Sequence, residues 1–378
     1  MQETSGSLTI LNFKQESSSI PNHIARQVSP DVQRRINALK IGQKMQDLPE
    51  ELWHTSFRYY VKEDENRRGG PNLRIIRLNP EMPSLTVTAY IFNKFVHPYE
   101  NRYISVREAA RLQGFSDSLE FKGTQNSTQL QVGNAVPVQL AKAVFDQVIQ
   151  HTEKVRYKLG QNLTAMSLFS GAGGMDIGAD CTGRIKTLLA IDSWQDACDT
   201  LSGYYNGRCD VLQQDVVNIT NPLKLWQSRT GETREPDLVF GGPPCQAFSQ
   251  AGKQKGLDDD RAQMIFEFIR FIKDLSPAFF VMENVANLKG IGEGTIFKKI
   301  LKSMEDLQYE ITTGLLLSAD FGVPQLRKRL FFLGSRREFG KIPLPYPTHS
   351  AMPGLFTLPY LTVGEAFAGL PLLPINYK

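Results

Sequence analysis

The chain has 378 residues, 41% of them hydrophobic and 22% charged, with a formal net charge of +4. That is an ordinary globular composition, long enough to bury a large core and to support two domains, with too little excess charge to announce a nucleic-acid partner by itself. No apolar run approaches membrane-spanning length, and the start Met1-Gln2-Glu3-Thr4 lacks the basic and apolar regions of a signal peptide, so neither a membrane nor an exported protein is expected. Cys181, Cys198, Cys209 and Cys245 show no paired spacing and read as reduced thiols of a cytoplasmic protein. The five histidines form no cluster of zinc-site spacing, and no metal is expected.

In chain order, residues 1 to about 22 are polar and serine-rich and read as a loose arm. Leu39, Ile41, Met45 and Leu48 recur at roughly helical spacing and predict a helix over 31–53. A charged Gly-Gly-Pro loop follows at 62–71, and 73–78 and 85–91 read as strands, giving a largely irregular, β-containing N-terminal region. Ser105 with Glu108 makes a capping box for a helix through Leu112, and Pro137 suits the first turn of a helix to about Gln150. From Leu163 strands alternate with helices, the pattern of a parallel sheet. Thr187 to Ile191 is the second strand and ends at Asp192, and Asp215 follows the third. Ile265, Phe266, Phe268, Ile269, Ile272 and Leu275 form the core face of an amphipathic helix, and Leu330 to Leu333 a further buried strand.

Three strand ends carry chemistry. Phe169-Ser170-Gly171-Ala172-Gly173-Gly174 follows the run Leu163 to Leu168, Pro243-Pro244-Cys245-Gln246 follows Leu238 to Phe240, and Glu283-Asn284-Val285 follows Phe279 to Met282. Open α/β sheets bind ligands at such ends. A glycine turn opening a helix admits close approach of a ligand to the backbone, and two ligands compete for it, a dinucleotide and S-adenosylmethionine. The dinucleotide fingerprint wants a third glycine where Asp176 stands, and that carboxylate disfavours a pyrophosphate but tolerates a methionine ammonium. Asp192 is placed to accept hydrogen bonds from ribose hydroxyls.

Together these segments resemble the DNA cytosine-5 methyltransferases. Further segments extend the likeness: Gln325-Leu326-Arg327-Lys328-Arg329, Arg107-Glu108-Ala109-Ala110-Arg111-Leu112-Gln113-Gly114-Phe115, and Gln131-Val132-Gly133-Asn134-Ala135-Val136-Pro137. The resemblance implies a Rossmann-like α/β methyltransferase sheet at 126–378 and a smaller, irregular β-containing target-recognition domain with a hinge region at 1–125. It implies S-adenosylmethionine as cofactor and S-adenosylhomocysteine as product. Phe169, Gly171, Gly173, Asp192, Ser193, Asp215, Val216, Pro244 and Asn134 would bind the cofactor, with Asp215 on the adenine amino group. Trp194 stands one place later than the tryptophan some members put directly after the ribose acid. Catalysis would fall to Cys245, Gln246, Glu283, Arg327 and Arg329. The partner would be double-stranded DNA in a prokaryotic cytoplasm, the enzyme a monomer, with a separate restriction endonuclease as a possible companion.

The motif order departs from that family's usual one. Segments that ordinarily lie near the C-terminus occupy 102–138 and precede the glycine turn, so the chain reads as circularly permuted, with sequence recognition in its first hundred residues. Among those residues Arg58, Arg67, Arg68, Arg74 and Arg77 are candidates for bases or phosphates. A second basic cluster, Arg327, Lys328, Arg329, Arg336, Arg337 and Lys341 against Asp320 and Glu338, is a candidate phosphate contact.

The chemistry follows from the base. Carbon 5 of cytosine is a poor nucleophile until a thiolate adds at carbon 6, which calls for Cys245 and for an acid, Glu283, at ring nitrogen 3. Such a base must flip out of the duplex, and Gln250 to Gly256 looks like a mobile loop that would cover it. An amino-methylating enzyme would carry an aromatic where Cys245 stands. An RNA cytosine-5 methyltransferase and a catalytically silent DNA-binding relative remain as alternatives. A nicotinamide-dependent oxidoreductase is opposed by Asp176.

Overall fold

The computed structural model of this chain describes residues 20–62, 75–89, 91–244 and 263–373. Helix α1 (Pro30–Ala38) starts where Ser29 caps Val32 and a proline takes the first turn. It is shorter than its periodicity predicts. Gly42, at φ +76°, turns the chain, and the remaining apolar positions fall on single 3₁₀ turns at Met45–Asp47 and Glu50–Leu52. Helix α2 (Thr55–Lys62) follows. Ile36, Leu39, Met45, Leu48 and Phe57 pack with Ile75, Val96 and Tyr103 into a core of their own.

The expected strands of this region shrink to two-residue pieces, β1 (Ile76–Arg77), β2 (Ser84–Leu85) and β3 (Phe95–Val96). Strand β1 pairs with β3, and β2 with a distant partner, β10, introduced below. The strand expected over 85–91 ends at Leu85, because the chain then leaves for the β10–β11 junction, where Gln325 and Arg327 take the Val87 amide and carbonyl. Arg77 is not available to DNA. It is buried, and its guanidinium donates to the carbonyls of Leu39, Ile36 and His97, each at 2.8 Å, to that of Glu100 at 2.9 Å and to Asn101 Oδ1 at 2.6 Å. Arg67, Arg68 and Arg74 lie outside the described residues.

The capping box forms as predicted. Ser105 Oγ accepts from the Glu108 amide at 3.1 Å and Glu108 Oε2 from the Ser105 amide at 2.6 Å, opening α3 (Val106–Leu112). Helices α4 (Gln125–Asn134) and α5 (Val138–Lys154) then lead to the sheet.

Strands β4 (Leu163–Leu168), β5 (Ile185–Asp192), β6 (Asp210–Gln213), β7 (Leu238–Gly241), β8 (Phe279–Val285), β9 (Tyr309–Leu317) and β11 (Lys328–Arg336) build one sheet in the order β6-β5-β4-β7-β8-β11-β9. Neighbours from β6 to β8 are parallel, and β11 is antiparallel to both β8 and β9. Helices α6 (Gly174–Asp180), α7 (Gln195–Tyr205), α8 (Pro222–Thr230), α9 (Gln263–Leu275) and α10 (Thr295–Asp306) connect them. This is the largely parallel α/β sheet expected from the alternating pattern, with the antiparallel pair β11 and β9 added at one edge. Parallel strands buried on both faces read as continuous apolar runs, and the α9 face of Ile265, Phe268, Ile269, Ile272 and Leu275 is buried against them, each side chain contributing about 1.5–3 kcal/mol.

The two-residue β10 (Gln325–Leu326) precedes β11 and carries the pairing to β2. The short α11 (Val363–Phe367) packs back on α3, so Val363, Ala366 and Phe367 share a core with Ile76, Phe95, Phe115 and Val132. The chain runs outward from β4 to β6 on one side and from β7 on the other. The crevice between the carboxyl ends of β4 and β7 is therefore the switch point where a ligand is expected. No helix among the described residues is long and apolar enough to cross a membrane.

Candidate active site

A cavity of about 750 Å³ opens at that crevice. Asn134, Phe169, Gly171, Asp192, Ser193, Asp215, Val216, Pro244, Glu283, Arg327 and Arg329 all line it, so segments far apart in sequence converge there. Gly173 does not. At φ +84° it caps α6, and a Cβ there would meet Leu201 Cδ1 at 2.4 Å, so it serves helix packing. Cys245 and Gln246 lie outside the described residues, directly after Pro244 on the cavity wall.

The glycine turn is built by backbone. Phe169 and Gly171 both sit at φ +52°, and the space a Cβ would take at Gly171 is open, which leaves a ligand free to approach the main chain. At Gly174 a Cβ would instead meet the Val136 carbonyl at 2.2 Å, because the Asn134–Pro137 segment lies directly against the turn. Asp192 receives the Gly171 amide at 2.8 Å and the Trp194 amide at 2.9 Å, and burial pushes its carboxyl above the usual range. Asp215 accepts from the Val217 amide at 3.1 Å. Both acids thus cap local backbone and also face the cavity.

On the far side stands Glu283. It lies opposite Phe331 in the β8–β11 ladder, and Arg329, two residues before Phe331, projects from the same face. Arg329 Nε reaches Glu283 Oε1 at 2.8 Å. Burial raises the Glu283 carboxyl above its ordinary range, and Arg329 and then Arg327 pull it partly back. A Cβ on Gly242 would come within 3.1 Å of Glu283 Oε2, so the acid packs beside the strand end that leads into Pro243-Pro244-Cys245. Asn284, which the sequence reading left without a role, donates from Nδ2 to the Pro243 carbonyl at 3.0 Å and ties β8 to that turn.

Arg327 and Arg329 do different work. Arg327 lies between β10 and β11 and is buried, its side chain driven down to about 9 by that burial. It donates to the Val87 carbonyl and, at 3.1 Å, to that of Gly133. Gln325 extends the joint, donating to Gln113 Oε1 at 2.8 Å and accepting from the Val87 amide at 2.7 Å. These residues bind the N-terminal segments onto the seven-stranded sheet. Of the remaining cations of the expected phosphate cluster, Lys328 is exposed at the start of β11 between Arg327 and Arg329, and others stand apart. Arg336 and Arg337 are at the opposite end of β11, about 25 Å from Arg329 along the strand, where Arg336 meets Glu235 at 3.1 Å and Arg337 meets Gln308 Oε1 at 2.7 Å.

Among the described residues one trio, His97, Glu100 and Glu108, offers ligand atoms close enough for a metal. Arg102 already occupies both carboxylates at 2.6 Å, and burial pushes the His97 imidazole down to about 4. The trio reads as a neutralised ion-pair cluster.

The model of C-5 cytosine-specific DNA methylases matches residues 3–150 and 163–353. The Type II methyltransferase M1.HphI of Haemophilus parahaemolyticus is 40% identical over 214 residues, which are 56% of this chain and 54% of that protein. The Type II methyltransferase M.AquIA of a Picosynechococcus strain is 37% identical over 54% of this chain and 88% of its own length. The chain thus spans about half of the first relative and most of the second. Among solved structures, the Schizosaccharomyces pombe Dnmt2 methyltransferase is 20% identical over 47% of this chain and 50% of its own, with a TM-score of 0.37. With a family match across most of its length, the chain belongs to the C-5 cytosine-specific DNA methylases.

Proposed function

We propose that this protein transfers a methyl group from S-adenosylmethionine to carbon 5 of a flipped-out cytosine in a specific double-stranded DNA sequence. The observation that carries the reading is the buried Glu283–Arg329 pair standing beside the root of the Cys245 turn, in the same cavity as the glycine turn.

The cavity fits the cofactor. The open position at Gly171 would admit it against the main chain, and of the lining residues Asp192 would hold the ribose and Asp215 with Val216 the adenine. When bound, S-adenosylmethionine supplies an electrophilic methyl group. Everything else falls to side chains of this chain. The Cys245 thiolate adds to carbon 6, making carbon 5 nucleophilic. Glu283, whose carboxyl burial raises above its ordinary range, acts in its protonated form and holds a proton at ring nitrogen 3 as charge gathers there. Arg329 holds Glu283 in place, and Arg327 and Asn284 hold the segments around it. Loss of the carbon-5 proton then lets Cys245 leave.

We place target recognition in residues 1–125 and read the chain as a circular permutation of the family's usual order. Two observations support this. The family match breaks between residues 150 and 163, between α5 and β4. The first and last described segments also meet, with His23 Nε2 on the Pro371 carbonyl at 2.9 Å and the Leu373 amide on Glu100 Oε2 at 3.2 Å.

The test is methylation of DNA in cells expressing the protein, read by bisulfite sequencing, against a Cys245→Ser variant. Site-specific methylation lost in the variant is expected, as is trapping of the wild type on DNA carrying 5-fluorocytosine. Turnover by Cys245→Ser, or methyl transfer to RNA in preference to DNA, would overturn the reading.

A further inference from the structure

Asp176 is an acid for which the proposed mechanism has no use. It sits in the first turn of α6, fully buried, on the wall of the cavity beside the glycine turn. Its oxygens accept from Ser167 Oγ at 3.1 Å and from Tyr205 Oη at 3.3 Å, both neutral groups. Buried carboxylates are ordinarily paired with a cation. The charged and titratable groups around this one leave it unpaired.

On α6 itself, Asp180 is paired with Arg208 at 2.9 Å and receives the Tyr204 hydroxyl at 2.6 Å. That guanidinium lies over the Tyr205 ring, 5.5 Å from its centre. From α7 comes Tyr205, whose hydroxyl burial holds well above its ordinary value. Before β6 stands Cys209, a thiol likewise pushed up by burial. Asp210 beyond it is paired with Arg229. From α5, Lys142 is paired with Asp146 at 2.6 Å. At the end of β5 is a second acid, Asp192, held by the backbone amides of Gly171 and Trp194. Near the glycine turn the wall therefore carries one fully buried acid, Asp176, and one half-buried acid, Asp192, and among the described residues no cation is bonded to either.

From Asp176 a short hydroxyl chain leads into the turn. Ser167 Oγ, which meets Asp176, also meets Ser170 Oγ at 2.8 Å, and Ser170 lines the cavity. We propose that Asp176 is the counter-charge for the cationic end of the bound methyl donor, so that the pocket distinguishes S-adenosylmethionine from S-adenosylhomocysteine by charge. The donor carries an ammonium and a sulfonium against one carboxylate. The product lacks the sulfonium charge and gains less from an acid behind the wall. Burial without a cation lifts Asp176 to about 7, so a cationic ligand that favours its ionised form expels a proton and binds better as pH rises. The proposal rests on the cofactor assignment above.

The experiment is titration calorimetry of S-adenosylmethionine and S-adenosylhomocysteine from pH 5.5 to 8.5, in buffers of different ionisation enthalpy so that released protons are counted. For the wild type, donor affinity should rise about tenfold in total across that range, the scale for charges ~10 Å apart at an effective dielectric constant of about 20, with product affinity changing less. Asp176→Asn should flatten the donor's profile, lose the proton release and reduce the preference for donor over product at pH 8 by the ratio of the two wild-type gains, a factor below about tenfold. The double variant Ser167→Asp/Asp176→Ser moves the carboxylate across the same hydrogen bond and should restore the preference. A folded Asp176→Asn protein with the wild-type profile and preference would overturn the proposal, as would a folded double variant as flat as Asp176→Asn. A wild type that binds neither ligand would instead overturn the cofactor assignment.

Discussion

Replacing Arg329 by leucine isolates the electrostatic control of the proposed acid. Arg329 Nε stands 2.8 Å from Glu283 Oε1, and both side chains are largely buried. Burial already holds the Glu283 carboxyl above its ordinary range, with Arg329 the larger of the two charges opposing that rise. Removing a cation in direct contact lifts a carboxyl by about 1–3 units, equivalent to about 1.4–4 kcal/mol. Methyl transfer uses the protonated acid, so the fraction of enzyme with Glu283 ready to act falls as pH rises through its value. Single-turnover transfer of labelled methyl groups, followed from pH 5.5 to 9.5, should show the falling limb of Arg329→Leu displaced upward by about 1–3 units. Its plateau should drop about 10²-fold from lost orientation, and Arg329→Lys should keep the limb near its wild-type place. Stability follows the same sign. A carboxyl raised in the fold contributes stability that is complete below its unfolded value and lost as pH rises through the folded one, so the deficit of Arg329→Leu should grow with pH. A falling limb that coincides with the wild type's would refute Glu283 as the acid.

Two further outcomes follow from the same geometry. Glu283→Gln keeps the side chain's shape and a hydrogen-bond donor but cannot transfer a proton. It should slow single-turnover transfer by about 10²–10⁴-fold while calorimetry finds cofactor affinity nearly unchanged. Asp237 is buried and accepts from Tyr157 Oη at 2.6 Å, Lys158 Nζ at 2.7 Å and the Thr164 amide at 2.8 Å, pinning the α5–β4 connection to the foot of the sheet. Asp237→Ala should cost about 3 kcal/mol in urea unfolding, and a loss under about 1 kcal/mol would show that the connection is not held there.

Sequence alone determined the catalytic half because its signals are local. Leu163 to Leu168, Phe279 to Met282 and Leu238 to Phe240 are apolar runs that only a strand covered on both faces can bury, and the glycine turn, Glu283 and the Pro-Pro turn follow in that order at their ends. The capping box at Ser105 was legible for the same reason, since both partners lie within one turn. The N-terminal half was legible only in part. Its helical spacing ran on past Gly42, and short apolar runs at 73–78 and 85–91 read as strands that the fold gives up for single turns and two-residue bridges. Arg77, Arg327 and Arg329 are alike in sequence, and nothing local separates an arginine saturated by carbonyls from one tying two segments or one bonded to an acid. Tertiary structure decided among them, because the partners of a guanidinium come from strands and loops brought together only when the sheet closes. The isolation of Asp176 was equally hidden. A missing counter-ion depends on every element packed around the acid, and no stretch of sequence contains them all.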